Sequence, residues 1–333
     1  MNIAILGAGA WGTALAIALC GRHTVRLWAR DAGQAAELAA TRRNRRYLQE
    51  PVLPAAIGVT ADLAVALQGA SLLIFGTPTA GLRPLAQEIL RRQPDEGSRT
   101  PLLWLCKGFE AGTGLLAHEV VDAVFGTSAP LCGALSGPSF ALEVAQGLPC
   151  ALTLASRDEP FARATAAALH GGRLRVYYTT DLPGVEIGGA VKNVLAVAVG
   201  ISDGMRLGQN ARAALVTRGL AELQRLGVAL GATPETIMGL TGAGDLILTA
   251  TGSLSRNRRV GLELAAGKPL EDILGSLGHV AEGVLCARET QALAESRGVD
   301  MPITRAVNAV LSGRLSPQAA LEMLLARDPT SEG

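Results

Sequence analysis

Residues 1–20, MNIAILGAGAWGTALAIALC, decide the fold. Asn2 to Leu6 is a short apolar run of the kind that forms a buried strand, and the alanine-rich segment from Ala10 to Cys20 has the composition of a helix. Between them, Gly7–Ala8–Gly9–Ala10–Trp11–Gly12 fits G-x-G-x-x-G at the strand-to-helix turn. Gly7 permits the sharp turn. Gly9 removes a side chain that would hold a pyrophosphate away from backbone donors, and Gly12 lets helix and strand approach closely. The helix N-terminus adds its own attraction for an anion. This spacing predicts a dinucleotide site at Gly7, Gly9, Ala10, Trp11 and Gly12. The stretch lacks a basic leading region, so it reads as part of the mature fold and not as a signal peptide.

Reading outward, His23 to Trp28 gives a second strand, and the residues after it bear on cofactor choice. Arg30 is placed to meet the 2′-phosphate of NADP(H), whereas Asp31 is placed to receive ribose hydroxyls. Use of NADP(H) and/or NAD(H) follows. The run RRNRR at 42–46 reads as a solvated face, because it stands alone without the interleaved aromatics of a nucleic-acid surface.

Further strands are expected at Ser71–Phe75, Leu102–Cys106, Cys150–Leu154 and Arg175–Tyr178, alternating with helical segments. After about Pro183 the pattern becomes helical: Ile187–Ile201, Ala211–Leu226, Pro234–Met238, Arg258–Ala266, Val280–Ser296, Ile303–Leu311 and Pro317–Leu325. The fold class is therefore an α/β N-terminal Rossmann-like domain with a mostly parallel sheet, followed by an all-α C-terminal domain. The expected divisions are 1–185 for NAD(P) binding, 186–328 for substrate binding and catalysis, and 329–333 as a tail. The apolar stretch Gly188–Ser202 is broken by Lys192 and Asn193, so a buried amphipathic helix is expected there and no transmembrane segment.

Composition excludes several classes. With 333 residues, 49% of them hydrophobic, the chain can bury a large core. Thirty basic residues against 29 acidic ones give a charge of +1, which argues against a general nucleic-acid binder. Five cysteines with no CxxC pair offer neither a disulfide framework nor a zinc site, and His23, His118, His170 and His279 lack metal-ligand spacing. No metal is expected, and the chain reads as cytoplasmic.

A larger set of motifs is more specific than any Rossmann turn. GAGAWGTALA at 7–16, CKGFE at 106–110, LSGPSFALEV at 135–144 and GVEIGGAVKNVLAVAVGISDG at 184–204 come first. NARAALVTRGLAE at 210–222, GLTGAGDLILTATGSLSRNRRVG at 239–261, VAEGV at 280–284 and DMPITRAV at 300–307 follow in order. Together they resemble the bacterial NAD(P)-dependent glycerol-3-phosphate dehydrogenase family over nearly the whole chain. The resemblance implies reversible oxidation of sn-glycerol 3-phosphate to dihydroxyacetone phosphate, with reduction as the direction that supplies the glycerophospholipid backbone. It also implies a cytoplasmic homodimer. Gly76–Thr77–Pro78 and Leu285–Cys286 depart from the family's usual sequence.

The resemblance assigns residues as well. Lys192 is implied as the catalytic acid/base, and its position on an apolar helix agrees, because a buried amine is costly unless it has a partner or a task. Lys107, Gly137, Ser139, Lys192, Asp245, Ser255, Arg256 and Asn257 are implied substrate contacts. Lys107, Ala141, Arg256, Val280 and Glu282 join Arg30 and the glycine turn on the cofactor side. Guanidinium, hydroxyl and amide groups in the Ser255–Arg256–Asn257 cluster suit phosphate oxygens. Two other readings remain at this stage: another Rossmann-type hydroxyacid dehydrogenase, and a catalytically silent nucleotide-sensing protein.

Overall fold

The computed structural model describes residues 1–93, 95, 99–277 and 281–327. Its first half runs β1 (Asn2–Leu6), α1 (Ala10–Leu19), β2 (Thr24–Trp28), α2 (Ala32–Thr41), β3 (Arg43–Asn44), β4 (Leu48–Val52), β5 (Gly58–Thr60) and α3 (Leu63–Leu67). It continues with β6 (Leu72–Phe75), α4 (Leu82–Arg92), β7 (Leu102–Trp104), α5 (Ala117–Phe125) and β8 (Cys132–Ser136). Then come α6 (Ala141–Ala145), β9 (Cys150–Ala155), α7 (Glu159–Leu169) and β10 (Leu174–Thr179).

Eight of these strands form one sheet in the order β10-β9-β8-β7-β6-β1-β2-β5, while β3 and β4 pair separately as a hairpin. Every pair in the large sheet is parallel except β8 with β9. The chain leaves β1 toward β2 and β5, then returns to β6 on β1's other side. Strand order reverses there, and the crevice at such a reversal is where open α/β sheets bind ligands.

Alternation along β1 explains why both faces are covered. Ile3 and Ile5 pack with Leu15 and Leu19 of α1, whereas Ala4 and Leu6 pack with Leu82, Leu85 and Ile89 of α4. Fully burying each large aliphatic side chain stabilises the fold by roughly 1.5–3 kcal/mol. Beneath the second face, buried Glu186 accepts from Trp104 Nε1 at 2.8 Å and from the His118 backbone N–H at 3.0 Å, and it also meets His118 Nδ1. Burial pushes the Glu186 carboxyl upward while these donors pull it down.

The second half is α8 (Leu182–Gly204), α9 (Gly208–Ala229), α10 (Pro234–Met238), α11 (Asp245–Thr251), α12 (Arg256–Ala265), α13 (Leu270–Leu277), α14 (Glu282–Ser296), α15 (Pro302–Leu311) and α16 (Pro317–Leu325). Contacts group the chain into two compact units. One is Met1–Glu110 with Leu115–Glu186, and the other is Ala111–Gly114 with the chain from Ile187 onward.

Helix α8 differs from expectation in length and character. It has 23 residues and is buried all round along most of its course, so it is not amphipathic. It starts early because Asp181 Oδ1 accepts from the Gly184 N–H at 2.9 Å, and Pro183 is tolerated in a first turn. By length and composition it is long and apolar enough to cross a membrane, but 94% of its apolar window is buried inside the protein.

Candidate active site

In the first unit, the glycine turn is built by close approach. A Cβ on Gly12 would lie 2.1 Å from the Gly7 carbonyl oxygen, so only glycine lets α1 begin this near to β1. Gly7 itself has φ +132, where a side chain is strained. Gly9 caps α1 without any side-chain hydrogen bond, leaving the first-turn N–H groups to other acceptors. Trp11 Nε1 is buried with no hydrogen-bond partner among the described residues. Uncapped donors at the strand-order reversal fit a dinucleotide pyrophosphate.

Arg30 and Asp31 separate in role. Asp31 is the N-cap of α2, its Oδ1 accepting from the Gln34 N–H at 2.6 Å, while Arg30 is exposed beside it. Farther along the same sheet edge, Lys107, Gly137 and Ser139 come together. The Gly137 carbonyl accepts from Lys107 Nζ and from Ser139 Oγ, both at 3.0 Å. Ala141 opens α6, which packs against α1.

In the second unit, small residues on α8 admit its neighbours. A Cβ on Gly188 would lie 2.7 Å from the Thr241 carbonyl oxygen, so the loop before α11 presses against α8. One turn later Lys192 is buried, and its Nζ donates to Asp245 Oδ1 at 2.6 Å and to Thr249 Oγ1 at 2.8 Å. Gly200 of α8 and Gly261 of α12 permit an equally close crossing: their Cβ atoms would meet the Arg258 and Val197 carbonyl oxygens at 2.1 and 2.2 Å. That crossing brings α12's first turn beside Asn193.

The Ser255–Arg256–Asn257 cluster divides into three tasks. Ser255 caps α12, accepting from the Arg258 N–H at 3.2 Å. Asn257 is buried, donating to Asn193 Oδ1 at 2.8 Å and accepting from the Gly283 N–H at 3.0 Å. Arg256 is exposed by surface area, although protein packed around its guanidinium lowers its pKa against the pull of Glu282. Burial raises the Glu282 carboxyl to about 7, with Arg256 opposing the rise. Val280 lies outside the described residues. A separate apolar recess of about 530 Å³ is lined by Ala198, Leu215, Ile303, Val307 and Leu324 among others, and none of Lys192, Asp245 or Arg256 borders it.

The described residues hold no group of three or more His, Cys, Asp or Glu side chains suited to a metal ion. A buried lysine beside a carboxylate and a hydroxyl can hold and move a proton, and a guanidinium at a helix start can bind an anion.

Family comparison gives that arrangement a home. The family described as NAD-dependent glycerol-3-phosphate dehydrogenase matches in both its parts, the N-terminus over residues 2–162 and the C-terminus over 181–322. The chain belongs to the NAD-dependent glycerol-3-phosphate dehydrogenase family. The glycerol-3-phosphate dehydrogenase [NAD(P)+] of Dechloromonas aromatica is 58% identical over 332 residues, covering 100% of this chain and 99% of its own. That of Aromatoleum aromaticum is 58% identical over 333 residues, covering 100% of both. The crystal structure of the glycerol-3-phosphate dehydrogenase from Coxiella burnetii, 41% identical, superposes with a TM-score of 0.91 over 98% of this chain and 99% of that one.

Within this dehydrogenase fold, two polar residues at the described clusters, Thr249 and Asn44, are not singled out from sequence, and a third, Asn193, reads there only as a break in an apolar stretch. Thr249 stands four residues after Asp245 on α11, the spacing that puts two side chains on one helical face. Asn193 directly follows Lys192. Asn44 sits buried within the basic run, holding the glycine turn, and nothing in its local sequence announces it.

Proposed function

We propose that this family member interconverts sn-glycerol 3-phosphate and dihydroxyacetone phosphate with NADP(H) or NAD(H). The observation that carries the reading is the buried Lys192 amine, held at 2.6 Å by Asp245 and 2.8 Å by Thr249. The nicotinamide, when bound, supplies hydride for reduction and accepts it for oxidation. In reduction the Lys192 ammonium gives its proton to the carbonyl oxygen of dihydroxyacetone phosphate, and in oxidation the neutral amine takes the alcohol proton. Asp245 and Thr249 orient the amine, so its proton is presented in one direction.

Arg256, with Ser255 and the Asn257 amide behind it, is assigned to the substrate phosphate. Lys107, Gly137 and Ser139 are assigned to the substrate from the nucleotide-binding part, residues 1–185. Gly7, Gly9, Ala10, Trp11 and Gly12 are assigned to the pyrophosphate, with Arg30 at the 2′-phosphate of NADP(H). Ala141, Val280, Glu282, Lys107 and Arg256 complete the cofactor set. The helical part, 186–328, carries the acid/base and the phosphate group.

The same reading extends to a homodimer in the cytoplasm that feeds glycerophospholipid synthesis. Among the described residues the five cysteines form no disulfide, which suits a reducing compartment. The test is nicotinamide absorbance with dihydroxyacetone phosphate, dihydroxyacetone and a panel of 2-oxoacids. Rapid oxidation of NADPH or NADH with the phosphate ester alone is expected. Preference for a 2-oxoacid, or equal use of dihydroxyacetone, would contradict it.

A further inference from the structure

The basic run at 42–46 hides one inward residue. Asn44 is 1% exposed, and its Nδ2 donates to the Ala8 carbonyl oxygen at 3.0 Å and to Thr13 Oγ1 at 2.7 Å. Its Oδ1 accepts from the Tyr47 N–H at 3.3 Å, so the amide has a fixed orientation. A second side-chain amide, Gln34 Nε2, reaches the same Ala8 oxygen at 2.8 Å. Gln34 is itself placed by the Asp31 cap of α2. Two donors from two different elements therefore converge on one carbonyl inside the glycine turn.

That carbonyl belongs to the peptide linking Ala8 to Gly9. No peptide bond in the described chain is cis, and a trans peptide is planar with its N–H opposite its C=O. Pinning the Ala8 oxygen toward Asn44 and Gln34 therefore turns the Gly9 N–H the other way. Glycine offers no side chain to resist rotation of this plane, so an unpinned turn loses directional order. A donor fixed in advance binds an anion without the cost of ordering it at the moment of binding.

We infer that Asn44 and Gln34 form a clamp on the Ala8 carbonyl that aims the Gly9 amide at the pyrophosphate of the dinucleotide. Both are positioning residues, because each acts through its bond to the Ala8 oxygen. The inference rests on the proposed use of the glycine turn for NAD(P)(H). It gives Asn44 of RRNRR a role that differs from its neighbours: Arg43, Arg45 and Arg46 form an exposed face, whereas half-buried Arg42 departs from that expectation by donating to the Leu53, Pro54 and Ile57 carbonyl oxygens.

The test measures dissociation constants by nicotinamide fluorescence for NADPH and NADH, and by competition for ADP-ribose and adenosine 2′-phosphate. Asn44→Asp keeps the shape of the side chain but sets an acceptor against the Ala8 oxygen. It should weaken NADPH, NADH and ADP-ribose by one common factor of roughly 10, the scale of a lost and reversed hydrogen bond. Adenosine 2′-phosphate, which has no pyrophosphate, should bind as before, and kcat at saturating cofactor should stay within about two-fold of wild type, well below the cost of losing a group that acts in the chemical step. Gln34→Ala, at a half-buried position with less weight in folding, should weaken the same three ligands by roughly 3-fold. It decides the matter alone if Asn44→Asp does not fold. Wild-type affinities in either folded variant would overturn the clamp while leaving the dinucleotide reading intact. A wild-type protein that binds neither NADPH nor NADH would instead remove the dinucleotide reading, and the clamp with it.

Discussion

Lys192 on α8 and Asp245 at the start of α11 form a buried ion pair, Nζ to Oδ1 at 2.6 Å. Neither helix supplies this contact through local sequence, since the residues are 53 apart. Gly188 makes it possible by letting the loop before α11 lie against α8. Desolvating two charges offsets much of their attraction, so such a pair is a poor source of net stability. Its value lies in fixing one amine. Removing one partner leaves the other buried and uncompensated, at a cost of about 3–5 kcal/mol, so substitutions here need a folding control.

Arg256 lies between a capping serine and a buried asparagine, so it is the member of the cluster with a side chain open to solvent. Arg256→Ala should raise the Michaelis constant for dihydroxyacetone phosphate by roughly 100-fold, the scale of a lost charge-assisted pair of hydrogen bonds. Arg256→Lys should recover only part of this, because one ammonium cannot reproduce a planar donor fork. Steady-state kinetics with both variants checks the assignment, and unchanged efficiency in both contradicts it.

Both charged groups at the end of β2 are exposed, but Asp31 is committed to capping α2, whereas Arg30 has no part in that cap. Arg30→Ala should raise the Michaelis constant for NADPH by roughly 10-fold while leaving NADH within about two-fold. An equal effect on both cofactors would place Arg30 away from the 2′-phosphate.

Glu282 carries a pH signature. Its carboxyl is raised from an ordinary 4.5 to about 7 by burial, against the opposing charge of Arg256. The folded state therefore binds this proton more tightly than the unfolded state. Its contribution favours folding fully below about pH 4.5 and is lost as pH rises through about 7. Glu282→Gln should flatten that decline, narrowing the fall in Tm between about pH 5 and pH 8 by about 2 °C or more. Parallel Tm profiles for the two proteins would contradict the shift.

The sequence made some of this legible and hid the rest for physical reasons. The glycine turn could be read because its requirements are local: the turn and helix start fall within six residues, Gly7 to Gly12, directly after the strand Asn2–Leu6. Strand β8 escaped because Cys132–Ser136 is made of Cys, Gly, Ala, Leu and Ser, which lack β preference, and its neighbours in the sheet supply the order. The three-residue β5 was too short to show alternation. Asp245 could be singled out only through the resemblance, because its glycine-rich surroundings have no helical pattern, yet it begins α11 after a wide turn over Leu240–Gly244. Ser255 and Asn257 looked equivalent to Arg256 in sequence. Only the crossing of α8 and α12 reveals that one caps a helix and the other spans Asn193 and Gly283.

The most direct test of Lys192 as the proton donor is pre-steady-state reduction of dihydroxyacetone phosphate by Lys192→Met, with NADPH binding titrated in parallel. Methionine keeps much of the apolar stem while removing the charge and the transferable proton. Thermal unfolding establishes that the variant is folded before kinetics are compared. The chemical step should slow by roughly 100-fold or more while NADPH still binds, the scale of positioned acid/base catalysis. A folded variant that reduces the substrate at the wild-type rate would contradict the role of Lys192.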